Sequence, residues 1–170
     1  MLKSFKQQNS GFSLVELMVT IALLGIMATV AAPNLADLIR RNQVQAQSDE
    51  LFSLIQYARG QAVTRRTSYE IFPNADGSQW TAQRLNTNND PSQRFFDINP
   101  NVAINTTNLA GGSLIFRPNG SASQAATFIN CRSDKFEDAV VIQVRNSGVA
   151  QQFPRGKLSL DQNLASCTPP

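Results

Sequence analysis

Residues 12–32 read FSLVELMVTIALLGIMATVAA, an apolar run with a single charge, Glu16. As a helix it extends about 32 Å at 1.5 Å per residue, close to the roughly 30 Å hydrocarbon thickness of a bilayer. A segment of this kind has to lie in lipid or against other apolar helices. A plain membrane anchor and a cleaved secretory signal both account for it. Ala28, Ala31 and Ala32 imitate a small-residue cleavage site, but the run exceeds the roughly 7–15 apolar residues usual in a secretory signal. Residues 1–11 carry Lys3 and Lys6 and no acid. Basic flanks stay cytoplasmic, so the expected orientation places the N-terminus inside and the rest of the chain outside the cytoplasm. Glu16 sits near the start of the run. A carboxylate in hydrocarbon costs several kcal/mol unless it reaches the headgroups or finds a cation.

Helical periodicity continues through residues 34–66. Leu35, Leu38 and Ile39 begin an apolar stripe, and Leu51, Ile55, Ala58 and Ala62 extend it at i, i+4, i+7 and i+11, widened by Phe52. Arg40, Arg41, Gln45, Asp49, Gln56 and Arg59 occupy the opposite face, expected to be solvated. The pattern predicts a one-sided helix lying on a sheet. A membrane-surface helix would show a polar face dominated by Lys and Arg, which this one does not.

Beyond residue 66 the period changes. Residues 67–72 (TSYEIF) and 79–85 (QWTAQRL) read as strands around an Asp76-Gly77 turn. Residues 86–94 are polar and loop-like, and 95–98 and 102–105 are short strand candidates. Residues 113–117 lead through Asn119-Gly120 to a strand ending at Ile129, and residues 139–145 lead through Asn146-Ser147-Gly148 to 149–153. These two stretches predict two antiparallel hairpins with one buried face.

The chemistry is narrow. With no histidine, His-based triads, His general bases and His-ligated metal sites are excluded. Two cysteines alone cannot build a structural zinc site. No glycine-rich phosphate loop is present. Glu137-Asp138, Arg40-Arg41 and Arg65-Arg66 read as solvated charges. Asn105-Thr106-Thr107 and Asn119-Gly120-Ser121 match the glycosylation pattern, the second being better read as turn chemistry. No catalytic residue, metal or cofactor is expected.

Gly11-Phe12-Ser13-Leu14-Val15-Glu16, followed by the apolar run and Pro33, resembles the class III signal of type IV pilins and type II secretion pseudopilins. The resemblance implies cleavage after Gly11 by a prepilin peptidase and N-methylation of the new terminus, Phe12. It assigns Glu16 to pairing with the terminal amine of a neighbouring subunit, an attraction that is strong where the dielectric is low. Pro33 stands where relatives loosen the helix on entering a filament; a simple membrane-exit kink is equally compatible with the residues. Phe116, Pro118 and Gly120, followed by a V-x-I-x-V strand and a Gly turn, are similar to the GspH/FimT family of minor pilins. That family usually has Gly-Arg at the last turn, whereas here Val149 follows Gly148. Arg155 and Lys157 are the only basic residues that follow it in the chain, with Asp161 after them, so a DNA-binding role is weakly supported.

The resemblance therefore implies an α+β type IV pilin fold, a long N-terminal helix packed on an antiparallel β-sheet domain. Residues 1–11 would be the leader, 12–33 the transmembrane and assembly helix, 34–66 its amphipathic half and 67–170 the β part. Cys131 and Cys167 allow one intramolecular pairing, compatible with an extracytoplasmic location. A bridge would stabilise by roughly 3–4 kcal/mol, with two buried thiols as the alternative. The resemblance favours the bridge, since pilins commonly staple a C-terminal loop. The expected function is a minor pilin subunit of a type IV pilus, at or near the filament tip and helping to prime assembly. Its partners would be other minor pilins, the major pilin and the inner-membrane assembly platform. It would sit in the inner membrane with its globular part periplasmic, then in the extracellular filament. A minor pseudopilin of type II secretion, a competence-type DNA-binding pilin and an unprocessed anchored domain are the alternatives. The formal charge of +3 includes Lys3 and Lys6, so a processed chain would hold 13 basic residues against 12 acids.

Overall fold

The computed structural model describes residues 12–87, 90–107, 109, 112–132 and 135–168. The expected leader, with Gly11, lies outside the described residues. Contacts divide the chain into two compact units, residues 1–39 and 40–170.

Helix α1, Leu14–Arg65, begins in the first unit and ends in the second. Its first turn closes with the Leu17 amide on the Ser13 carbonyl at 3.1 Å. The Thr20 and Thr29 hydroxyls donate to the carbonyls of Leu17 and Ile26 at 2.8 and 2.7 Å, so neither polar side chain needs an outside partner. Pro33 lies inside α1. It has no N–H for the Thr29 carbonyl and its ring crowds that same oxygen, and the helix is bent between Thr29 and Ala31. Among the described residues no single helix is long and apolar enough to cross a membrane. The bent pair Leu14–Thr29 and Ala31–Arg65 meets that requirement by length and composition together.

In the second unit the rest of α1 packs on eight strands: β1 Tyr69–Pro73, β2 Gln79–Arg84, β3 Arg94–Asp97, β4 Ala103–Thr107, β5 Leu114–Phe116, β6 Ala126–Cys131, β7 Val140–Val144 and β8 Ala150–Gln152. They form two antiparallel four-stranded sheets, ordered β3-β2-β1-β5 and β4-β6-β7-β8. The expected strand positions match to within a few residues, and β1–β2 and β7–β8 pair as expected. The third hairpin does not form. β5 pairs with β1, placing Tyr69 opposite Phe116, while β6 pairs with β4 and β7. Only a single bridge, Phe116 to Ala122, spans the Asn119-Gly120 turn. The reason lies in β6, where Phe128 faces the α1 core and Ile129 and Cys131 face a second cluster. A strand covered on both faces is stabilised by a neighbour on each side, and β4 and β7 supply them.

Leu51, Leu54, Ile55, Ala58 and Ala62 of α1 bury against Tyr69, Ile71, Phe116 and Phe128. Trp80 meets Phe128 edge-on at 5.6 Å. The stripe differs from expectation at its start. Leu35, Leu38 and Ile39 are 57, 53 and 50% exposed, and Val44 is the first buried aliphatic. The opposite face is also less free than its composition predicts. Arg41 pairs with Asp138 at 3.0 Å, Asp49 accepts from Gln152 at 3.0 Å, and the Arg59 Nε donates to the Gly120 carbonyl at 3.1 Å. The sheets curl far enough around α1 to reach its flanks.

Candidate assembly site

Phe12 is 80% exposed at the start of the chain's described part. Leu14, Val15, Leu17, Met18, Val19, Ile21, Leu23, Leu24, Ile26 and Met27 are exposed too. They point in all directions around the helix, not along one stripe. Burial of each large apolar side chain is worth roughly 1.5–3 kcal/mol, so this segment is driven to associate with lipid or with other helices. Glu16 lies in the first turn of α1 and is exposed. Its spacing from Ser13 is that of a capping box. Yet Glu16 makes no hydrogen bond or ion pair among the described residues. A carboxylate near a helix N-terminus is favoured by the helix dipole.

Cys131, at the end of β6, and Cys167 form a disulfide. Both are buried with Ile129, Ala139, Val141, Phe153 and Leu164, so the C-terminal segment covers the face of the second sheet away from α1. Hydrogen bonds hold it in place. The Asn105 Nδ2 donates to the Cys167 carbonyl and the Leu164 amide to the Gly156 carbonyl, each at 2.8 Å. Arg155 reaches the Arg41 carbonyl at 3.2 Å, and Lys157 bonds Asn163 at 2.7 Å. Asn105 is thus engaged by the tail. The Asn119 Oδ1 accepts from the Ser121 amide and hydroxyl at 3.0 and 2.7 Å, the turn chemistry expected of it.

The Phe-x-Pro-x-Gly motif acquires a physical explanation. The turns ending at Gly120 and Gly148 press together where α1 stops. Both glycines have positive φ, 79° and 78°. A Cβ on Gly148 would overlap the Gly120 carbonyl oxygen, and one on Gly120 would lie 3.0 Å from Val63. Only glycine supplies both the conformation and the clearance.

One polar cluster escaped the sequence reading. Asp90 is 4% exposed and lies within the stretch expected to be a plain loop. Its Oδ1 accepts from the Ser92 amide and hydroxyl at 2.9 and 2.8 Å, and its Oδ2 from the Arg84 amide at 2.8 Å. Because Ser92 donates to Asp90, the Tyr69 hydroxyl, 2.7 Å away, must donate to Ser92. The Tyr57 hydroxyl donates to the Ser92 carbonyl at 2.7 Å, and Arg94 lies 5.6 Å above the Tyr57 ring. Burial alone would raise the Asp90 pKa; the Ser92 and Arg84 hydrogen bonds and the Arg84 charge outweigh it and hold it below the ordinary carboxylate value. Burial and Tyr69 push the Tyr57 phenol up. The Asp-x-Ser spacing was the available signal, a common loop motif whose burial no local pattern reveals.

An exposed apolar helix leg continuing into a helix clasped by antiparallel sheets is the architecture of a type IV pilin-fold subunit. The profile described as type II transport protein GspH matches residues 47–148, more than half the chain, and that of the prokaryotic N-terminal methylation motif matches residues 6–32. The chain belongs to the GspH family, whose members are minor pilins and pseudopilins, structural subunits and not enzymes. Among relatives, it is 35% identical over 97 residues to a fimbrial protein of Moraxella nonliquefaciens, covering 56% of this chain and 59% of that one. It is 31% identical over 81 residues to the fimbrial protein EcpC of Eikenella corrodens, covering 48% and 50%. The chain therefore spans only about half to three-fifths of these relatives. In fold it is similar to the type IV minor pilin FimU of Pseudomonas aeruginosa, with a TM-score of 0.63 at 24% identity, covering 76% of this chain and 98% of that one. It is also similar to the minor pseudopilin EpsH of the Vibrio cholerae type II secretion system, with a TM-score of 0.55 at 8% identity, covering 70% and 99%.

Proposed function

We propose that this chain is a minor pilin of a type IV pilus, incorporated at or near the filament tip, where it helps to prime assembly with other minor pilins. It is cut after Gly11 and N-methylated on Phe12. Its apolar leg leaves the inner membrane to pack in the filament core, where Glu16 pairs with the terminal amine of a neighbour. The observation that carries this proposal is the exposed, apolar, all-round leg with a carboxylate left without a bond among the described residues. In water the leg has no favourable place, and in a membrane or a filament core the acid has none unless it finds a cation. Pro33 lets the leg change direction on extraction. The fimbrial names of the two relatives support the pilus.

The test is Glu16→Ala. The variant is expected to be processed and to remain in the membrane, but to fall at least about tenfold in sheared filaments, since an unpaired amine in apolar surroundings costs several kcal/mol. Normal incorporation would refute the pairing. A mature chain starting elsewhere than N-methylated Phe12, by intact mass, would refute the processing. The second reading is a minor pseudopilin of type II secretion, supported by the family description and the EpsH fold. Deletion separates the two: loss of surface pili supports the first and loss of protein secretion the second.

A further inference from the structure

β3 is an outer strand, paired with β2 on one side alone. Gln79 lies opposite Asp97 and Thr81 opposite Phe95, and just beyond them the Ile98 amide donates to the Ser78 carbonyl at 2.7 Å. In an antiparallel ladder, residues that exchange hydrogen bonds alternate with residues that do not. Arg94 and Phe96 therefore bond β2, while the peptide groups of Phe95 and Asp97 point to the open edge. Helix α1 bridges that edge at both ends. The Gln47 carboxamide accepts from the Asn99 amide at 2.7 Å and donates to the Asp97 carbonyl at 3.4 Å, as a neighbouring strand would. The Tyr57 hydroxyl bonds the Ser92 carbonyl. Between these bridges the Phe95 amide and carbonyl have no hydrogen bond among the described residues. They border a groove of about 410 Å³ between β3 and Asp49, Glu50, Ser53 and Leu54 of α1. Its charge is uneven. Asp49 uses only Oδ1, for Gln45 and Gln152, and Glu50 only Oε2, for Gln47 at 3.4 Å. Neither acid has an ion pair among the described residues, and the base in the lining, Arg94, is turned onto the Tyr57 ring.

We propose that this edge and groove bind an extended, basic segment of another protein chain by strand addition. One residue of the incoming segment exchanges two hydrogen bonds with Phe95. Its neighbours point, like Phe96, to the α1 side, where a Lys or Arg opposite Phe96 meets Asp49 and Glu50. The backbone supplies affinity and the acidic groove selectivity. Phe95 itself, 57% exposed, offers apolar contact on the other face of the strand. A second copy of this chain is disfavoured in the anchored state proposed above. Antiparallel pairing of two β3 edges about a two-fold axis runs the two copies of residues 40–65 in opposite directions, and two such chains cannot leave the same membrane.

The experiment titrates the full chain, in detergent micelles, with the peptide acetyl-Thr-Lys-Val-Thr-Val-amide and follows backbone amide resonances. In antiparallel addition its central valine lies opposite Phe95 and its lysine opposite Phe96. The Phe95 amide should shift saturably and exchange with solvent more slowly. Changing the peptide's lysine to glutamate should weaken binding at least about threefold. Methylating the nitrogen of the central valine removes the donor to the Phe95 carbonyl and should weaken it about two- to tenfold. Glu50→Lys should abolish the preference for lysine, with unchanged thermal unfolding showing the fold intact. The peptide changes leave the protein untouched, so they decide the matter even where that variant misfolds. The proposal is overturned by no saturable shift at Phe95 at millimolar peptide, by equal binding of the glutamate or the N-methylated peptide, or by a lysine preference that a folded Glu50→Lys retains. A Phe95 shift that follows protein concentration without peptide would overturn it in favour of a second copy. The titration needs no filament, so its failure is distinct from a failure of the assembly role tested by Glu16→Ala.

Discussion

Gly148 shows how much one hydrogen atom decides. Its φ is 78°, and a Cβ there would strike the Gly120 carbonyl. Gly77 shares the conformation, with φ 72°, but has nothing within 4 Å of a Cβ. Gly77→Ala should therefore cost only about 1–2 kcal/mol for a left-handed residue. Gly148→Ala should cost about 3 kcal/mol or more, since backbone has to move as well. Urea midpoints of the two variants read the difference, and equal losses would show that the turn contact is slack. Asp90 makes a pH-dependent prediction. Its folded pKa lies below the ordinary 3.8, so its contribution is present above that value and is lost as pH falls through the folded one. Asp90→Asn should lower stability at pH 7 and flatten the decline on titration from pH 5 towards pH 2. A variant with an unaltered slope would show that Asp90 is not a stabilising acid.

Among the elements, the C-terminal segment depends on its staple. It buries Leu164 and Phe153 over Ile129 and Val141. The disulfide joins residues 36 apart, so Cys167→Ser should cost roughly 3–4 kcal/mol in the chain-entropy model. Reductant should reproduce that loss in the wild type and leave the variant unaffected. Loss of the tail would uncover the apolar face of the second sheet. β6 teaches a related lesson. The Asn119-Gly120 turn within residues 113–129 suggested a hairpin, because hairpin signals are local. Which strand lies beside β6 depends on covering both of its faces, and the second cover arrives from the tail, some 30 residues downstream.

At the level of the whole molecule, the two units divide the labour. The second, residues 40–170, contains all three buried clusters, so a fragment of those residues should be soluble and unfold in a single cooperative transition. Failure to refold would mean that the first unit is needed for stability. The leg, the Glu16 anomaly, the breaker Pro33, the amphipathic stripe and the approximate positions of all eight described strands are legible from residue order alone. They rest on period, charge and turn chemistry, which act over a few residues. The partners of those elements are not legible in that way. Arg155 and Lys157 follow Gly148 in sequence, yet the arginine side chain that lies against Gly148 in space is Arg59, from α1. Likewise Asp90 looks like a loop acid until Tyr57, Tyr69 and Arg84 close around it. The sequence by itself determined that this chain has an apolar helix seeking company and a one-sided helix seeking a sheet. Only the tertiary structure decided which strands pair and which charges gather, because those depend on burial and on contacts between residues tens of positions apart.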